Sequence, residues 1–184
     1  MRYRPQRDFF GLERWISNYG YEKAKTSIDE SLRKLQTDYI DLMLLHQPFC
    51  DRYGAYRALE EAYKEGKLRA IGVSNFYPDH FIDIAGNMEI VPAVNQVETH
   101  VFNQQTEPQQ IMEEFGTHIM SWGPFAEGRN GFFTNPLLAG IGSYITENDL
   151  RTIFTGNFQS VYSVISLKDF FYSKCFPVDR GDHA

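Results

Sequence analysis

His46, the pair Ser74–Asn75, Gln96 and Trp122 each fall at the close of an apolar, strand-like run, where strand formation does not call for them. The runs are DYIDLMLLHQP, LRAIGVSNF, VPAVNQVE and THIMSWGPFAEG. A neutral imidazole can donate a hydrogen bond to a carbonyl oxygen. A hydroxyl and two amides can together satisfy a carboxamide, whose oxygen and NH₂ both need partners. An indole offers its face to a flat heteroaromatic ring. The loop GPFAEG, residues 123–128, has glycines at both ends, and backbone N–H groups in such loops can hold phosphate. Each residue also has an ordinary reading. His46 can be a hydrogen-bonded structural histidine, Ser74 and Asn75 a loop or helix cap, and Trp122 core packing. Gln96 is harder to treat so, because it interrupts a buried apolar strand.

The elements that must position these side chains follow from the spacing. The run ends are separated by 28, 22 and 26 residues. Each gap fits one helix, one strand and two short loops, the crossover that parallel strands require. In a (β/α) barrel the chemistry sits on loops at the C-terminal ends of the strands. The pattern therefore predicts a row of site residues along one rim of a parallel sheet.

Periodicity fills in the elements. Residues 22–36 read as a helix, with Ile28, Leu32 and Leu35 as its apolar stripe and Asp29–Arg33 as an i,i+4 pair. Residues 39–45 read as a strand buried on both faces. Residues 54–65 are a second helix, with Leu59, Ala62 and Tyr63 inward and Gly66 as its stop. Strands are expected over 68–73, 91–97 and 118–121. Pro78 opens a third helix. Thr106 with Gln109 reads as a capping box for a fourth, which stops at Gly116. Residues 1–14 give no clear element, since Gly11 and Glu13 interrupt FFGLERW and make it a poor strand. After about residue 140 the alternation fails.

The bulk numbers narrow the classes. A chain of 184 residues supports a real core, yet a complete eight-unit barrel takes about 250 residues. The net charge of −6 argues against a nucleic-acid partner, whose affinity rests on Lys and Arg meeting phosphates. Two cysteines, Cys50 and Cys175, make no disulfide framework and sit in no metal-ligand spacing. No stretch approaches the roughly 20 apolar residues of a membrane span, and MRYRPQRDFFG lacks the apolar part of a secretory signal. A reduced, cytoplasmic, soluble protein is expected, with no membrane and no nucleic acid among its partners and no metal.

The sequence resembles the aldo-keto reductase family. SLRKLQTDYIDLMLLHQP and GKLRAIGVSNF are similar to that family's best-known blocks, and PAVNQVETH with its following QQ pair and SWGPFAEG to the next two. The resemblance covers about residues 15–139. It implies an NADPH-dependent oxidoreductase that reduces aldehydes and ketones, with a small carbonyl compound as substrate and NADP as cofactor. By the same resemblance His46 is the active-site histidine. Ser74, Asn75 and Gln96 hold the nicotinamide carboxamide, and Trp122 stacks on the nicotinamide ring. Gly123, Pro124, Phe125, Glu127 and Gly128 belong to the loop over the pyrophosphate, and Trp15 lines the substrate pocket.

The sequence also departs from the family pattern. The family's catalytic set is Asp, Tyr, Lys and His. The Asp and Tyr have no matching segment, and Glu13 stands at the Lys position. No Pro-Lys-Ser-like block, and no Arg for the 2′-phosphate, is visible after residue 140. The fold class expected is α/β, a partial parallel (β/α)8 TIM barrel lacking the first strands, over residues 1–140. An atypical tail of residues 141–184 follows it. Catalysis is expected to be impaired. The alternatives are a non-catalytic fragment that retains partial nucleotide or partner binding, and a (β/α) enzyme using His46 in metal-assisted chemistry. The last is disfavoured because the other strand ends offer amides and Trp rather than metal ligands. Exposed strand edges of an incomplete barrel favour self-association.

Overall fold

A computed structural model describes residues 11–14, 19–138 and 140. Strands and helices alternate among them. They are β1 (Gly11–Arg14), α1 (Tyr21–Leu35), β2 (Leu42–Leu45), α2 (Arg52–Lys64), β3 (Ile71–Ser74), α3 (Pro78–Asn87), β4 (Val94–Glu98), α4 (Thr106–Glu114) and β5 (His118–Trp122). Two short 3₁₀ turns follow, Ala126–Gly128 and Phe132–Thr134. The chain divides into two compact units, with the division between Val94 and Asn95. Trp15 and the tail from residue 141 lie outside the described residues.

In the first unit β1, β2 and β3 lie side by side in chain order. Both pairs are parallel, with Glu13 opposite Leu44 and Leu45 opposite Val73. The poor strand expected at FFGLERW is thus corrected. Gly11–Arg14 does pair, because a ladder partner as apolar as LMLL overrides weak local preference. All four residues of β2 and of β3 are buried, as parallel strands covered on both faces should be. Gly72 is fixed by close approach: a Cβ there would stand 2.6 Å from the Val94 carbonyl oxygen.

The helices of this unit bury the stripes that periodicity predicts, with local corrections. α1 turns in from Gly20, at φ 94°, and buries Ala24, Ile28 and Leu32, whereas Leu35 is only partly covered. Asp29 ion-pairs with Lys67 at 2.9 Å, not with its predicted helical neighbour Arg33. α2 starts two residues earlier than expected because the Asp51 carboxylate accepts the Gly54 N–H at 2.9 Å and caps it. Its Tyr63 is 41% exposed rather than inward. Fully buried Tyr56 does face inward and donates its hydroxyl to the Ile90 carbonyl at 3.0 Å. That burial pushes the phenol pKa well up. Buried Glu60 takes the Ile90 N–H at 2.8 Å. At the N-terminal ends of β2 and β3, Asp41 and Arg69 form an ion pair at 2.8 Å with the Asp41 side chain buried.

The second unit holds most of β4, with β5 beside it. β4 runs on to Glu98, so Gln96 lies in mid-strand rather than at the strand's end. α4 begins at Thr106 itself. The residue before it, Gln105, turns the chain in at φ 54°, and no side chain caps the helix, so the predicted capping box does not form. Gly116, at φ 75°, ends the turn after α4 as expected.

Candidate active site

In the first unit three candidate residues come together at two adjacent strand ends. Leu45, fully buried, is the last residue of β2, and His46 is the first residue beyond it, half-buried. Ser74 closes β3 and is 1% exposed. Asn75 follows at φ 59°, a left-handed conformation that Asn tolerates better than most residues. That turn brings the Asn75 amide back over the strand ends. Its Nδ2 donates to the His46 carbonyl at 3.2 Å and to Ser74 Oγ at 3.1 Å. The backbone beyond His46 is also held. The Tyr19 hydroxyl donates to the Gln47 carbonyl at 2.7 Å and accepts the Gln47 N–H at 2.9 Å.

In the second unit Gln96 is half-buried and its Nε2 donates to Met120 Sδ at 2.8 Å. Sulfur is a weak acceptor, so this amide keeps most of its capacity to bind a better partner. Trp122 does close β5, and its carbonyl accepts the Thr99 N–H at 3.3 Å. Residues 123–128 coil tightly. The Ala126 N–H donates to Gly123 at 2.8 Å and the Gly128 N–H to Phe125 at 2.9 Å. Gly123, Ala126, Glu127 and Gly128 all have positive φ. Left-handed backbone at Ala and Glu is strained, and such strain concentrates at functional loops. The amides of Ala126 and Gly128 close turns within the loop and are not open anion donors. The Arg129 guanidinium next to the loop pairs with the Glu127 carboxylate.

Sequence reasoning reports neither the Arg129–Glu127 pair nor the partners of Tyr53, in α2, and Tyr19, just before α1. Tyr53 donates its hydroxyl to Asp83 Oδ2 at 2.5 Å, and that hydrogen bond raises the phenol pKa. Arg52 pairs with the same carboxylate at 2.7 Å and, with Tyr53, holds it below the ordinary Asp range. Tyr19 is 5% exposed and bonded to Gln47. No periodic or motif signal reports a contact between residues 28 apart in sequence. Among the described residues no group of three or more His, Cys, Asp or Glu is placed to hold a metal ion, and no helix is long and apolar enough to cross a membrane.

A model of the Aldo/keto reductase family matches residues 8–135. The chain belongs to the aldo/keto reductase family. It is 42% identical over 116 residues to the glyoxal reductase of Bacillus subtilis, covering 62% of this chain and 42% of that one. Among solved structures it is similar to an aldo-keto reductase from a Medee basin deep-sea metagenome library. The TM-score there is 0.68 at 35% identity, covering 73% of this chain and 52% of the other. It is likewise similar to a Bombyx mori aldo-keto reductase in complex with NADP, with TM-score 0.68 and 27% identity over 73% of this chain and 50% of that one. The alternating parallel elements are therefore part of a (β/α)8 barrel, as expected. The chain spans about half the length of the curated relatives it matches.

Proposed function

We propose that this aldo-keto reductase chain carries the nucleotide-holding part of an NADPH-dependent reductase of aldehydes and ketones. The observation that carries this reading is the Asn75 amide, which ties His46 and Ser74 together at adjacent strand ends. The His46 imidazole would donate to the substrate carbonyl oxygen and fix its direction. Ser74, Asn75 and Gln96 supply one hydroxyl and two amides, a donor and acceptor set that fits a nicotinamide carboxamide. Trp122 offers the stacking face. Residues 123–128 would form the loop over the pyrophosphate, with Arg129 paired to Glu127 beside it. Bound NADPH supplies the hydride.

Proton delivery is the weak step, and we infer that this chain turns over slowly. Protonating the developing alkoxide with a placed acid contributes roughly 10²–10⁴-fold. Glu13, on β1, stands where the family pattern has Lys. A carboxylate beside a phenol raises its pKa, whereas an ammonium lowers it. Tyr53 is made a poorer acid by Asp83, and Tyr19 is committed to Gln47.

The test is NADPH oxidation by the purified chain with 4-nitrobenzaldehyde, beside a fluorescence titration with NADPH. Binding with turnover far below the ~10 s⁻¹ median of enzymes is expected. Turnover near that median, lost in His46→Ala, would overturn the slow reading and keep the reductase. Binding with no turnover at all would favour the second reading, a nucleotide-binding module without catalysis, to which Glu13 also points. No binding and no turnover would end both.

A further inference from the structure

We propose that Tyr19 is a positioning residue for His46, acting through the backbone of Gln47. This deepens the carbonyl-reductase reading and rests on it. The loop 46–51 leaves the buried strand β2 and must hold an imidazole in one direction. The hydroxyl of Tyr19 makes two hydrogen bonds to one residue, donating to the Gln47 carbonyl at 2.7 Å and accepting its N–H at 2.9 Å. A two-point hold fixes the peptide planes on both sides of Gln47, and the first of those planes is the His46–Gln47 peptide. The carbonyl of that same peptide, His46 C=O, accepts from Asn75 Nδ2 at 3.2 Å. One peptide is thus gripped from two remote segments.

The anchor itself is fixed. Tyr19 is 5% exposed, and the Gly20 N–H next to it donates to the Asp51 carbonyl at 3.2 Å, at the far end of the same loop. Gly20 adopts φ 94°, which places Tyr19 and Gly20 alongside the loop before α1 begins. A phenol held this way is unsuited to proton transfer and well suited to orientation. Orientation matters because small misplacements of a hydrogen-bond donor at a reacting carbonyl carry large rate penalties.

Two measurements on the full chain test this. The first is independent of activity: histidine ring ¹H–¹³C spectra and amide exchange by NMR. In the unaltered chain the Gln47 amide exchanges slowly. In Tyr19→Phe it exchanges fast and the His46 ring resonances move, whereas those of His100 stay. Tyr53→Phe, which removes a hydroxyl bonded to Asp83, leaves the His46 ring unchanged. A fast-exchanging Gln47 in the unaltered chain would overturn the proposal whether or not Tyr19→Phe folds, as would an unmoved His46 ring.

The second measurement is a double-mutant cycle on NADPH oxidation. Tyr19→Phe lowers kcat/KM for 4-nitrobenzaldehyde about tenfold, with KM for NADPH unchanged, and has no effect in a His46→Ala background. An equal loss in both backgrounds would make Tyr19 merely structural and overturn the proposal. If the unaltered chain shows no turnover, the reductase reading fails by itself, and the ring spectra alone decide whether Tyr19 sets His46.

Discussion

The two candidate-site regions differ in how many of their ties are local. Around His46 the chain is held by partners far away in sequence: Tyr19 reaches Gln47 across 28 residues, Asn75 reaches His46 across 29, and Arg52 reaches Asp83 across 31. Around Trp122 many of the ties are local. The His100 and Asn103 backbones bond each other, His100 Nδ1 accepts the Phe102 N–H at 3.2 Å, and residues 123–129 close on themselves. The first region exposes large apolar side chains near its site, Phe49 at 55% and Tyr77 at 39%. The second leaves Phe125 and Phe133 at 56% and 72% exposure, with Phe132 against both rings. Groups held by remote partners keep their geometry only as long as the fold does. Locally closed loops depend less on the packing beneath them.

That contrast predicts where substitutions will matter. The largest effect is expected from Leu45→Ala, which empties a fully buried position directly under His46. It should cost about 2–5 kcal/mol in urea unfolding. A loss well under that range would mean the support of the first region is not the packed strand. Next is a matched pair of helix starts. Asp51→Ala removes the carboxylate that caps α2 and should cost roughly 0.5–2 kcal/mol. Thr106→Ala, at a helix start with no side-chain cap, should stay within about 0.5 kcal/mol. Equal costs would erase the distinction.

Acid sharpens the comparison further. The hydrogen bonds from Arg52 and then Tyr53 lower the Asp83 pKa in the fold. Its contribution is therefore complete above the unfolded Asp value, near 3.9, and is lost as pH falls through the lower folded value. Urea midpoints of the native chain and of Asp83→Asn should differ at pH 6 and converge at low pH. A gap that stays constant would show the carboxylate charge to be irrelevant. The smallest effect is expected from Phe133→Ser. At 72% exposure the ring can be removed within about 0.5 kcal/mol, and a larger loss would mean the exposed rings support the second region after all.

Much of this architecture was legible in the sequence because it is periodic. The α1 stripe at Ile28 and Leu32, the apolar LMLL and the Pro78 helix start each announce themselves within a few residues. Errors arose where distant residues decide. Gly11–Arg14 becomes a strand only because β2 lies beside it, and Asp29 chooses Lys67 over Arg33. Spacing alone points Tyr63 inward although it is 41% exposed, and Thr106 has the residue type of a cap although Gln105 already makes the turn. In the candidate site, His46, Ser74 and Trp122 could be placed from the ends of apolar runs. Gln96 proved to lie two residues before its strand's end. The grip of Tyr19 on Gln47 could not be foreseen, because a hydroxyl meeting a peptide leaves no mark on either local pattern.

Ile90 lies in the coil between α3 and β4, yet both of its backbone polar groups are taken by α2, its N–H by buried Glu60 and its carbonyl by buried Tyr56. A residue held through both of its backbone groups cannot open unless the helix moves away from it. Residue 90 therefore belongs to the same cooperative opening unit as the interior of α2, and the α3-to-β4 crossover is a stiff strut where its lack of regular structure suggests a hinge.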